Sequence, residues 1–380
     1  MKAKFVVVGG GVVGMAITYS IARMGERSIT VLEQGFVGCG ASTRNAGNFR
    51  VHFYAPENTR FAIESRRRLL KLSTLGLNPV VRQGGYLWLF SSEEVFKHFK
   101  KFNDMWRSFG VGGAILTPDE LHQLHPYINP EGLVGGFFGP QDGSFHPDYI
   151  VQGYLENCVK MGVNIAENSR AVGVEVKNGR VCGVKLEGGG MVEAEAVVIA
   201  AGYGSGDLLK SAGVELPLTP IRKEIGVTEP IKPLIKPLII DTQHNLYFTQ
   251  TLRGEVLGSI ELPGEESYRP LNVSLKWTME YARRLVKRVP MLSGVRLMRI
   301  WSGYYVMTPD HSHIMGRDSE WPEGLYVATG FSGHGFMLAP LVGELMAEHL
   351  LYGRISPLMK PYLPTRFREG RLVKETMVIG

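Results

Sequence analysis

A strand-forming run, Phe5-Val6-Val7-Val8, leads straight into Gly9-Gly10-Gly11-Val12-Val13-Gly14, and no other feature of the chain limits its fold so tightly. A helical pattern follows to about Gly25, and a second strand from Ser28 to Leu32 ends on Glu33. Strand, glycines, helix, strand and terminal acid in that order describe a dinucleotide-binding βαβ unit. Gly9 permits the tight turn, Gly11 lets the backbone approach a pyrophosphate, and Gly14 allows close packing of helix on strand. The helix amino end then faces the phosphates. Glu33 can accept both ribose hydroxyls and disfavours a 2′-phosphate. FAD and NAD use the same cradle, so this segment alone does not choose between them.

At 380 residues the chain is too long for one ordinary core, and two lobes are expected. Its hydrophobic fraction of 44% is that of a globular protein, and no apolar run is long enough to span a bilayer. Lys2 and Lys4 precede an apolar strand that runs into the glycine motif instead of a cleavage site, which predicts a cytoplasmic protein. Cys39, Cys158 and Cys182 are scattered, without the spacing of a zinc or iron–sulfur site. A net charge of +6 with no like-charge block beyond Arg66-Arg67-Arg68 argues against nucleic acid as a partner. A mildly basic surface is compatible with an acidic subunit or peripheral contact with an anionic membrane.

Helical patterns recur at Pro56 to Leu75, Ser92 to Phe109 and Pro147 to Met161, with a capping box at Thr117-Pro118-Asp119-Glu120. Strands are predicted at Tyr86 to Phe90, Ala171 to Val176, Val181 to Leu186 and Met191 to Ile199. The last ends in Ala200-Ala201-Gly202, a second glycine-rich strand end that a doubly wound sheet would place beside the first. Leu216 to Met307 is rich in strand signals, with one helix from about Val273 to Val289.

A strand at Leu325 to Thr329, a loop from Gly330 to Met337 and a helix from Leu338 to Leu350 close the chain. Glycines ahead of a helix offer free N–H groups and a positive helix end, which would stabilise negative charge on a reduced flavin. The predicted class is α/β: a doubly wound, Rossmann-like FAD/NAD(P)-binding domain (1–80, 145–215 and 305–380) with a β-rich substrate domain (81–144 and 216–304).

GGGVVG with Glu33, GCGASTRNAGNFR, the strand ending in AAG, WSGYYVMTPD and ATGFSGHGFM together resemble the glycine oxidase and sarcosine oxidase branch of D-amino acid oxidase-type flavoproteins. GYYxxTPD and GFSGHGFM are similar to the FAD-bearing β subunits of archaeal dye-linked L-proline dehydrogenases. The resemblance implies FAD, bound by Gly9, Gly11, Val12, Val13, Gly14, Glu33 and Gln34. It places Ser42, Thr43, Arg44, Asn45, Gly47 and Asn48 along the pyrophosphate and flavin ring. Val172 would meet the adenine through its backbone, with Ala200, Ala201 and Gly202 along the adenosine. Gly330, Gly333, His334, Gly335, Phe336 and Met337 would run beside the flavin pyrimidine. Arg50 falls on the arginine that binds the substrate carboxylate, and its fork suits a bidentate clamp.

Three departures from monomeric sarcosine oxidase carry consequences. Gly303 stands where that enzyme attaches its flavin to a cysteine, so the FAD is expected to be non-covalent. Val256 stands at its oxygen-activating lysine, which favours an acceptor other than oxygen. Met337 replaces a second carboxylate-binding lysine, leaving Tyr247, Tyr304, Tyr305 or His52 to assist Arg50. Tyr247, Tyr305 and His334 join Arg50 as candidate catalytic residues.

His146, in GSFHPDY, lies beside the position where heterotetrameric sarcosine oxidases carry an FMN on histidine. That implies a second flavin at a subunit interface and a hetero-oligomer with an electron-transfer α subunit. The expected activity is oxidation of a small amino acid, a secondary amine such as L-proline, with electrons passed to a dye, quinone or partner. The alternatives are an oxidase of sarcosine, glycine or a D-amino acid, D-proline included, and a flavin subunit that only relays electrons.

Overall fold

The computed structural model describes residues 2–77, 79–262 and 270–377. Val6, Val7 and Val8 lie at the centre of an eight-stranded sheet and are buried, as a strand covered on both faces must be. The main path runs Ile314–Gly316, Leu325–Thr329, Met191–Ile199, Lys2–Val8, Ile29–Leu32 and Asn164–Ala166. All its neighbours are parallel except the first pair. Ala171–Lys177 and Arg180–Leu186 extend it as an antiparallel flap from Met191–Ile199.

The second strand end does lie beside the first. The Ala200 amide donates to the Val8 carbonyl at 2.8 Å, and a Cβ on Gly9 would stand 2.4 Å from the Ala200 oxygen. Gly9 also sits at φ +112°, so glycine is required there twice over. The first helix, Val12–Arg23, packs against the last, Gly335–Tyr352, so closely that a Cβ on Gly343 would meet the Ala16 carbonyl at 2.5 Å.

A second eight-stranded sheet runs Leu297–Met307, Thr219–Pro230, Glu255–Ile260, Leu246–Gln250, Leu238–Asp241, Tyr86–Phe90, Gly135–Gly139 and Ala114–Leu116. Its pairs are antiparallel except Leu238–Asp241 with Tyr86–Phe90. Alternation gives it two faces. Leu87, Phe248 and Val256 pack under the helix Leu275–Arg288, against Trp277 and Tyr281. Tyr86, Trp88, Ile240 and Tyr247 join the other core cluster, which includes Phe53, Phe336 and Met337.

Most predicted elements appear with small shifts. The helix from Pro56 ends at Lys71 and continues as a 3-10 turn, Leu72–Leu75. The larger difference is at the end of the chain, where the last helix starts at Gly335, three residues early, with His334 as its N-cap. Tertiary packing holds that first turn: Phe336 stacks on Phe145 at 4.6 Å, and the Met337 carbonyl accepts from the Ser65 hydroxyl.

Candidate active site

The glycine cradle is built for an anion. Gly11 caps the first helix, and a Cβ on it would meet only the Ser42 hydroxyl, at 3.1 Å. A Cβ on Gly14 would lie 2.0 Å from the Gly9 carbonyl, so that glycine serves packing. Glu33 is buried, with one carboxylate oxygen accepting from the Gly10 amide (2.7 Å) and the other from the Gly35 amide (3.0 Å). The second oxygen also accepts from Cys39 Sγ at 3.4 Å, so the oxygen facing Gly10 keeps the lone pair for a ribose hydroxyl. Gln34 donates to the Tyr203 hydroxyl at 3.3 Å.

Residues 41–48 cross from this cradle toward the second sheet. Ser42 Oγ accepts from the Val12 amide (2.8 Å), and Thr43 donates to the Gly38 carbonyl. Arg44 Nη1 reaches the Ser302 carbonyl at 3.3 Å, while its own carbonyl accepts from the Trp301 indole. A Cβ on Gly303 would approach Arg44 Cβ to 3.3 Å, placing the position of the absent cysteine against this segment. Asn45 closes a turn onto the Gly47 amide, and Asn48 Oδ1 is buried without a partner among the described residues. The strand register jumps between Gly173 and Ala171, leaving Val172 outside the ladder, half-exposed, with Ala200, Ala201 and Gly202 at the neighbouring strand end.

These features fit FAD. The open approach at Gly11, the orphaned Asn48 oxygen and the first-turn amides of Gly335, Phe336 and Met337 in the last helix, which have no backbone partner among the described residues, offer partners to a pyrophosphate and a flavin ring. Gly333 and Gly330 lie in the left-handed region ahead of that helix, and a Cβ on Gly333 would strike the Tyr305 ring at 2.4 Å.

Arg50 is 3% exposed and lies among aromatic rings, its guanidinium 4.2 Å from the Phe53 centroid and 5.7 Å from that of Trp88. Nη1 donates to the His52 carbonyl (2.9 Å); Nη2 meets His334 Nε2 (3.0 Å) and the Met377 carbonyl. Burial lowers its pKa, opposed by Glu375, Tyr86, Asp142 and Tyr54. Burial pushes Tyr305 up to about 12 and holds Tyr86 and Tyr247 well above the ordinary phenol value, so all three are neutral donors. Met337 contributes no charge, its sulfur accepting from the Arg50 amide at 3.3 Å.

Three expectations are corrected. His52 is fully buried, bonded to Asp142 (2.8 Å) and the Val111 carbonyl (2.7 Å), and holds the Arg50 segment instead of meeting substrate. Tyr304 alternates with Tyr305, faces the other way and packs on Tyr203 at 4.8 Å. Val256 pairs with Gln250 on the helix-covered face of the second sheet, so it cannot border the flavin. The cation on the cofactor side is Lys223, which pairs in register with Gly303 and lies 3.5 Å from Glu261.

The sequence reading missed Tyr86 and Trp88, whose alternation in YLWLF was the available signal. Glu375 and Met377 carried no signal. The Glu375 carboxylate accepts from the amides of Tyr54, Ala55 and Met377, bringing the tail onto the helix that follows Ala55. His146 caps the helix Pro147–Lys160, stacks on Tyr149 at 4.4 Å, and has a buried Nδ1 without a partner among the described residues. Among the described residues, no helix is long and apolar enough to cross a membrane.

Residues 4–349 match the model of the FAD dependent oxidoreductase family, DAO. The chain is 28% identical to the sarcosine oxidase subunit beta of Rhodobacter capsulatus over 99% of this chain and 91% of that protein. Its structure superposes on the L-proline dehydrogenase of P. horikoshii with a TM-score of 0.90 at 31% identity, covering 98% of this chain and 99% of that one. The glycine oxidase of Geobacillus kaustophilus shares the fold, with a TM-score of 0.87 at 24% identity over 96% and 99% of the two chains.

Proposed function

Because the chain belongs to the FAD-dependent oxidoreductase family, we propose that it oxidises the CH–NH bond of a cyclic secondary amino acid such as L-proline. Electrons then pass to a dye, a quinone or a partner subunit. The observation that carries this reading is Arg50, one buried guanidinium between the Phe53 and Trp88 rings, with Tyr86 and Tyr305 near its charge and Tyr247 beside those two tyrosines. A single cation suits one carboxylate, and aromatic walls suit an apolar ring. The likeness to the L-proline dehydrogenase of P. horikoshii supports the same substrate class.

In this reading FAD, held without a covalent bond, supplies the hydride acceptor. Arg50 exchanges the Met377 carbonyl for the substrate carboxylate and fixes the α-side carbon. Tyr305 and Tyr247, neutral at all physiological pH, donate hydrogen bonds without adding charge. The apolar lining excludes water from the imine. The segments 1–80, 145–215 and 305–380 form the cofactor domain, and 81–144 with 216–304 the substrate domain. The name of the Rhodobacter relative supports a place in a hetero-oligomer, where His146 and its orphaned Nδ1 would face a second flavin, an FMN.

A peroxide-forming oxidase is the second reading, favoured by Lys223 on the cofactor side of the sheet. A dye-linked assay over L-proline, D-proline, sarcosine and glycine separates the substrates, with peroxide measured in parallel. L-proline should give the highest kcat/KM with dye. Preference for glycine or a primary D-amino acid, with stoichiometric peroxide, would move the assignment to the oxidase.

A further inference from the structure

His334 Nε2 lies 3.0 Å from Arg50 Nη2. A guanidinium only donates, so Nε2 presents its lone pair and the ring carries its proton on Nδ1. Burial first, and then Arg50, push the His334 pKa well below that of free imidazole, so the ring is a neutral base. The same residue borders a cavity of about 10 Å³ shared with His311, His313, Asn58 and Ser312. That is close to the smallest space that holds one water. His313 Nε2 is buried with no hydrogen-bond partner among the described residues. His311 donates from Nδ1 to the Glu375 carbonyl at 2.9 Å, which leaves its Nε2 as an acceptor. Three imidazoles thus surround one water-sized space, with His311 only half-buried.

We propose that His334 is the base that takes the ammonium proton of the amino acid substrate, and that the proton leaves through a water in this cavity to His313 and His311. The inference rests on the amino acid dehydrogenase reading above and adds the step that makes the substrate a hydride donor. The substrate N–H bond breaks and the His334 Nε2–H bond forms. The Nδ1 proton passes to the cavity water, which gives a proton to the adjoining imidazoles and through half-buried His311 to solvent. The neutral amine is the form able to release its α-side hydrogen as hydride and become an iminium; bound FAD would supply the two-electron acceptor, so protons and electrons balance.

The Arg50 contact gives this base a trigger. Until a carboxylate arrives, an Arg50 N–H occupies the His334 lone pair; once the carboxylate takes that N–H, the lone pair is free for the ammonium. An amine without a carboxylate leaves the base engaged. The groups facing His334 are Arg50, His311, His313 and the Tyr305 ring behind Gly333, with the tail carbonyls of Glu375 and Met377 on His311 and Arg50.

The test is anaerobic stopped-flow reduction of the FAD-loaded protein by L-proline at several pH values, for the wild type, His334→Gln and His313→Gln. With the relay intact, the limiting reduction rate at saturating L-proline should be nearly flat from neutral pH upward, because the bound ammonium loses its proton within the complex. In His334→Gln it should fall about tenfold for each pH unit below the pKa of the free amine, since only the unprotonated fraction reacts. His313→Gln leaves the Arg50 contact intact and should slow reduction and enlarge the solvent deuterium isotope effect. A His334→Gln profile parallel to the wild type would overturn the proposal. If that variant does not hold flavin, an unchanged rate and isotope effect in His313→Gln would do the same. Wild-type flavin that no amino acid reduces at any pH overturns the dehydrogenase reading itself, and the relay with it.

Discussion

Arg50 donates to His334 Nε2 across 3.0 Å, joining the end of the short strand Asn48–Phe49 to the N-cap of the last helix. One guanidinium nitrogen also reaches the Met377 carbonyl, so the tail occupies an acceptor position that a carboxylate would take. The site is therefore assembled from three distant stretches of chain, and its buried guanidinium is already hydrogen bonded before substrate enters.

Arg50→Ala should raise KM for the amino acid by one to two orders of magnitude. A charge-assisted pair to a carboxylate is worth about 1.5–3 kcal/mol. Flavin content should be unchanged, and lysine should rescue only part of the loss because it lacks the fork. Steady-state kinetics together with the flavin-to-protein absorbance ratio check both halves.

Gly11→Ala and Gly14→Ala should part company. At Gly11 a methyl meets only the Ser42 hydroxyl, so the protein should fold and melt normally while losing FAD affinity. At Gly14 the methyl meets the Gly9 carbonyl at 2.0 Å, so the fold itself should suffer. Thermal melts and FAD titration of both variants distinguish a cofactor role from a packing role.

Lys223→Met should slow reoxidation of the reduced flavin by air, while Val256→Lys should add no oxygen reactivity and should destabilise the protein. Val256 packs against the helix bearing Trp277 and Tyr281, where a cation has no partner. Stopped-flow mixing with aerated buffer reads the first effect and a melting curve the second.

Asp310 and Arg366 form a buried bidentate pair at 2.8 and 3.0 Å. Burial raises the Asp310 carboxyl, but Arg366 and the Val373 and Ser312 amides outweigh it and leave the pKa below its ordinary 3.8. A carboxyl with a depressed folded pKa adds stability that is present above 3.8 and is lost as pH falls through the folded value. Arg366→Met should cost about 3–5 kcal/mol at neutral pH, because it strands a buried carboxylate. Acid unfolding should also begin at higher pH in the variant, as circular dichroism would record.

The cofactor half was legible because its constraints are local. Gly14 and Glu33 answer to backbone within or beside one βαβ unit, and spacing alone reports that; Gly9 owes its turn to the same unit but its tight packing to Ala200, far along the chain. The substrate half depends on strand register, which a sequence does not print. Val256 stands two positions before Gly258 in the sequence, yet only the strand pairing, with Gln250 opposite, decides which face Val256 takes. His52 looked available for the same reason, since nothing near it in sequence announces Asp142 or the Val111 carbonyl. Met377 reaches Arg50 from the far end of the chain, a contact without local pattern.

The central claim is that this chain oxidises an amino acid at its own FAD, with Arg50 holding the carboxylate. Anaerobic titration of the isolated, FAD-loaded protein with L-proline, followed at the flavin absorbance band, tests it most directly. The account predicts saturable bleaching without any partner subunit, greatly weakened in Arg50→Ala. Flavin that stays oxidised with every amino acid offered, or is reduced only after a partner subunit is added, would contradict it.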